Sequence, residues 1–188
     1  MKGFLMLAGC GLVLLAFASP AVTGEPARAS DKAALAECLK YVSDFPGNVP
    51  GINDTPTPAA HIDNKIKLSG HEPGSCIDYV TELCSFESDD GQSQLGLIDC
   101  ADREVSVWED RLNATYAALM AKAAPEAREG YRKMQRAWID YRKARCGAEG
   151  SAETINTDRQ SNIIVSCMLD ATAQQALILD TELSELSR

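Results

Sequence analysis

The chain has 188 residues, 45% hydrophobic and 24% charged, with a formal net charge of −9 and seven cysteines. Beyond a leader, that length allows one domain with its own core. The acidic balance disfavours nucleic acid and anionic lipid as partners and favours a cationic one.

The N-terminus reads as a secretory signal peptide. Lys2 precedes an apolar run from Phe4 to Ala18, and the small residues Ala16, Ala18, Ala21 and Gly24 close it. The run is about 15 residues, short of the roughly 20 that span a bilayer. Cleavage is expected between positions 18 and 24, giving a leader over 1–24 and a periplasmic or secreted product. "LAGC" at 7–10 resembles a lipobox that would make Cys10 a lipid anchor, but the apolar run continues past it, which argues against one. No later segment reads as membrane-spanning.

Six cysteines remain: Cys38, Cys76, Cys84, Cys100, Cys146 and Cys167. An even number in an exported chain implies three disulfides. No CxxC pair is present, so neither a thioredoxin-like site nor a zinc ribbon is supported. Charge is unevenly spread: Glu25–Asp99 carries 13 acidic and 5 basic residues, Cys100–Arg188 carries 14 and 12.

Residues 25–73 read as an N-terminal helix followed by an irregular acidic segment. The helix spans 30–42, with Ser30 as cap and Ala34, Leu35, Cys38, Leu39 and Val42 on one face. Pro46, Pro50, Pro56 and Pro58 then break 43–60 into a long loop, with a short strand-like piece at 65–68. Residues 74–188 read as the main helical domain. A helix over 75–86, capped by Ser75, puts Cys76, Tyr79, Val80, Leu83 and Cys84 on one side, and "ESDDGQS" forms a turn. A long amphipathic helix over 93–122 carries Leu97, Cys100, Val107, Trp108, Leu112, Tyr116 and Leu119. Pro125 opens the next helix, which runs to about Cys146. The last spans 158–186, with Ile164, Cys167, Met168, Ala171, Ile178 and Leu179 inward. The fold class is all-α: a disulfide-stapled antiparallel helical bundle with a long irregular Pro-rich loop near its N-terminus.

The two long helices flanking Ala123–Pro125 are expected to pack as an antiparallel hairpin. A register centred near residue 123 sets Cys100 against Cys146, Glu104 against Arg142, Trp108 against Trp138 and Leu112 against Met134. It makes Cys100–Cys146 a disulfide candidate and Glu104–Arg142 an ion pair. Met134, Trp138, Tyr141 and Arg145 share a helical stripe that reads as core, whereas Arg136 and Lys143 lie on the solvated side.

"QRAWIDYRKARC" at 135–146 resembles the signature of the LprI-type lysozyme inhibitor family. Gln135, Arg136, Trp138, Tyr141, Arg142 and Cys146 carry the resemblance here, and Cys100, Glu104, Trp108, Leu112, Asn113 and Tyr116 carry it on the preceding helix. Cys167 corresponds to a further cysteine on the last helix. The likeness covers about 74–185 and departs at Asp78, where a glycine is expected after "CI". It implies a small exported helical domain and, for some members, inhibition of lysozyme.

No catalytic residues, cofactor or metal are assigned. His61 and His71, with Asp63 and Glu72 nearby, are too few and too local for a metal site. No GxSxG, HExxH, phosphate loop or Rossmann glycine pattern occurs. The sequon "NAT" at 113–115 falls inside a helix. The leading expectation is therefore a binding protein that occludes a cationic muramidase, such as a c-type lysozyme, through acidic Glu87, Asp89 and Asp90. The alternative is a non-inhibitory envelope interaction module that recognises its partner through the 43–60 loop.

Overall fold

The computed structural model describes residues 27–44, 72–153 and 156–188. The leader, the Pro-rich loop, the strand-like piece at 65–68 and both histidines lie outside these residues. The elements are α1 (Ala29–Asp44), a 3-10 turn (Pro73–Cys76), α2 (Tyr79–Ser85), α3 (Gln94–Lys122), α4 (Pro125–Ser151) and α5 (Thr157–Glu185). No strand occurs among the described residues.

Helix ends follow local chemistry. Ser93 caps α3, its Oγ accepting the Gly96 N–H at 3.1 Å. At the far end the Ala123 N–H bonds to the Leu119 carbonyl at 2.8 Å, and Pro125 occupies the first turn of α4. Asn156 caps α5 by accepting the Arg159 N–H at 2.9 Å.

α5 is the central helix. It packs most extensively on α3 and next on α4, and both pairings are closer along the backbone than that of α3 with α4. Its rungs to α3 run in the same direction: Arg111 and Thr115 reach Asp180 at 2.7 and 2.8 Å, and Lys122 reaches Ser187 at 2.7 Å. Its rungs to α4 run oppositely: Tyr131 to Glu182, Gln135 to Gln175, Arg142 to Thr172, Arg145 to Asp170 and Cys146 to Cys167. Gly150 completes that ladder, because a Cβ there would collide with Ile164. Trp108, Leu119, Leu169 and Leu179 are the largest fully buried apolar side chains.

An antiparallel hairpin with a constant register therefore exists, but between α4 and α5 rather than α3 and α4. The physical reason is composition: Ala171, Ala173 and Ala176 make α5 narrow and let it insert between the other two. Met134 and Trp138 pack, partly buried, against the core that holds Trp108 and Leu112. Ile164 and Ile178, expected inward, are 37% and 51% exposed; Val165, Leu169 and Thr172 turn inward instead. By length and composition α5 could cross a membrane, contrary to expectation, but half of its apolar window is buried within the bundle.

The disulfides are Cys38–Cys76, Cys84–Cys100 and Cys146–Cys167. The expected Cys100–Cys146 bond is not formed. With α5 intervening, Cys146 faces Cys167, and Cys100 faces the end of α2. Each closes a loop of 16 to 38 residues, worth about 3 kcal/mol or somewhat more in the chain-entropy account. Three such bonds suit an oxidising compartment. Cys38–Cys76 staples α1 to the rest, with Leu35, Cys38 and Val42 buried against the core.

Candidate functional site

Chemistry concentrates where α1, α2 and the start of α3 meet. The expected helix over 75–86 is interrupted there: a 3-10 turn ends at Cys76, and Asp78 adopts φ 70°, a left-handed conformation, before α2 begins. Asp78 is the only non-glycine residue with positive φ among those described. This is where the resemblance led to glycine, the residue that enters this region without steric cost. Asp is one of the few others that tolerate it.

Glu104 holds this corner. Its side chain is fully buried, with Oε1 accepting the Asp78 N–H at 2.8 Å and the Trp108 indole N–H at 3.0 Å, and Oε2 accepting the Thr81 N–H at 2.7 Å. Two of these donors are at the N-terminus of α2, so a carboxylate on α3 caps α2 from outside. Burial pushes the Glu104 carboxyl above its ordinary range, while the N–H donors oppose that rise. The expected Glu104–Arg142 pair is absent. Arg142 lies 4.7 Å over the Trp138 ring and donates to Glu109 at 2.8 Å and to the Thr172 hydroxyl at 2.7 Å.

Arg103, one residue before Glu104, faces the other way. Its guanidinium, 8% exposed, donates to both oxygens of Asp31 at 2.8 and 3.0 Å, to Glu87 at 2.8 Å and to Cys84 Sγ at 2.9 Å. Glu87 first, then Asp31, raise the Arg103 pKa against the opposing effect of burial. This cluster ties α1, the 86–93 turn and α3 together. Asp31, 4% exposed, was not singled out from sequence; a lone carboxylate in the first turn of a helix reads as an ordinary dipole partner.

The three acidic residues singled out for partner contact thus divide. Glu87 is a strut, bonded to Arg103 and 3.6 Å from Arg28. Asp89 and Asp90 are exposed on the turn and form no ion pair among the described residues. The turn is flanked by two apolar side chains that sequence reasoning passed over, Phe86 at 46% exposure and Leu95 at 62%. Farther along α3, burial first and then Asp99 and Glu109 raise the Asp102 carboxyl pKa.

Of the signature residues, Trp108 and Leu112 are core, Gln135 hydrogen-bonds with Gln175 at 3.3 Å, and Tyr116 and Trp138 are partly buried. Arg136 is exposed and pairs with Glu129; Asn113 is exposed; Tyr141, expected inward, is 58% exposed. The residues that carry the resemblance are chiefly architectural here. Among the described residues no group of three or more His, Cys, Asp or Glu could hold a metal ion.

The fold and its polar clusters define a small, disulfide-framed helical domain whose buried charges serve its own rigidity. The chain belongs to the family described as lysozyme inhibitor LprI, which matches residues 84–179. That match includes Cys84–Cys100 and Cys146–Cys167 and leaves α1 and Cys38–Cys76 outside. The chain is also similar to an uncharacterized 17.7 kDa protein in the puhA 5′ region of Rhodobacter capsulatus: 29% identical over 120 residues, covering 56% of this chain and 73% of that protein. No solved structure matches.

Proposed function

We propose that this protein is an exported binding protein of the lysozyme-inhibitor type, which blocks a cationic muramidase by occluding its substrate cleft with an acidic surface. Family membership is the observation that carries the reading. The net charge of −9 and the rigid framework support it. Opposite charge raises the association rate and suppresses wrong partners. A disulfide-fixed surface loses little conformational entropy on binding. The protein acts by occupancy and carries no catalytic step.

The test is complex formation between the oxidised mature chain and a c-type lysozyme, read by size-exclusion chromatography at low and physiological salt. A one-to-one complex that weakens with salt is expected. Separate elution at both ionic strengths would contradict the proposal and favour an envelope partner recognised through the 43–60 segment.

A further inference from the structure

We propose that Phe86 and Leu95, with Asp89 and Asp90 between them in the chain, form the surface by which this protein seats on its cationic partner; the proposal rests on the function argued above. Leu95 is the most exposed large hydrophobic residue among those described, at 62%, and Phe86 is 46% exposed. Both belong to one small knob. Phe86 ends α2, Leu95 lies in the first turn of α3, and Cys84–Cys100 joins the two helices behind them.

The knob is rigid. Its backbone bonds within itself, from Glu87 N–H to the Cys84 carbonyl at 2.9 Å, Gly91 N–H to Ser88 at 3.1 Å and Ser93 N–H to Asp90 at 2.9 Å. Gly91 sits against the Ser85 backbone and Gly96 against that of Asp90 and Gly91, with no room for a Cβ at either. Arg103 anchors Glu87 at the base. Partly exposed apolar side chains carried on a preformed loop suit binding, because the ordering cost is met in folding. The other strongly exposed apolar residues, Ile178, Tyr141 and Leu186, stand on helix surfaces or at a helix end, without such a frame.

Composition identifies the partner's chemistry. An apolar anchor inside a charged rim is the usual anatomy of a specific interface. Here Asp89 and Asp90 lie exposed between the two apolar residues in the chain, so the complementary surface is an apolar depression edged by Lys or Arg on a cationic protein. Glu87, held by Arg103, acts as a positioning residue for the knob.

The experiment is calorimetric titration of the oxidised mature chain with a c-type lysozyme, at low and physiological salt, for wild type and four variants. Phe86→Ala/Leu95→Ala should raise Kd by about thirtyfold or more with little change in its salt dependence. Leu95→Arg, at an exposed position that spares the core, should do at least as much. Asp89→Asn/Asp90→Asn should weaken binding at low salt and flatten the salt dependence. Ile178→Ala should bind like wild type. Wild-type affinity in Phe86→Ala/Leu95→Ala or Leu95→Arg would overturn the assignment while leaving the family function intact. Absence of wild-type binding would overturn the functional reading and this surface with it.

Discussion

Glu104 Oε2 accepts the Thr81 backbone N–H at 2.7 Å, so a helix of seven residues receives its N-terminal cap from a side chain on another helix. The cap is buried, and replacing Glu104 with Ala orphans the Asp78 and Thr81 N–H groups and the Trp108 indole N–H together. Glu104→Ala should cost about 3–5 kcal/mol, and Glu104→Gln should fall between it and wild type. Urea unfolding of the oxidised protein measures both.

The same carboxyl makes a signed prediction against pH. Burial holds its folded pKa above the unfolded value. A group so raised contributes stability that is fully present below the unfolded pKa and is lost as pH rises through the folded pKa. The stability difference between wild type and Glu104→Gln should therefore widen as pH falls from 7 towards the ordinary carboxylate range. Narrowing on acidification would mean that the N–H donors outweigh burial.

Arg103 bridges two carboxylates on different elements, so its loss leaves Asp31 buried and unpaired. Arg103→Met should destabilise by about 3–5 kcal/mol, whereas Glu87→Gln, which removes the half-exposed partner, should cost about 1 kcal/mol or less. Denaturant midpoints at constant slope would separate the two.

Asp78 in the left-handed region offers the opposite sign. Asp78→Gly should stabilise by up to about 1 kcal/mol, because glycine adopts φ 70° without the Cβ contact. An increase in the thermal midpoint is the readout.

What was legible in the sequence follows from what is local. Helix limits at Ser93, Pro125 and Asn156 are set by caps and prolines within a few residues, and α3 and α5 fall within one position of expectation, whereas α4, expected to end at about Cys146, continues to Ser151 through a stretch that reads as a polar loop. The antiparallel register is real, but pairing it with the right helix requires knowing that α5 inserts beside α3, and periodicity carries no such information. The errors about Cys100 and Glu104 descend from that one substitution of partner. The Asp31–Arg103 bond spans 72 residues and leaves no local signal. Peptide mapping of the non-reduced protein should return Cys38–Cys76, Cys84–Cys100 and Cys146–Cys167; a Cys100–Cys146 peptide would contradict the helix order.

The most direct measurement is titration of c-type lysozyme activity with the oxidised mature protein at low and physiological salt. The account predicts inhibition that saturates near one equivalent at low salt and weakens as salt rises. Full lysozyme activity at large excess of a folded, correctly bridged inhibitor would contradict it.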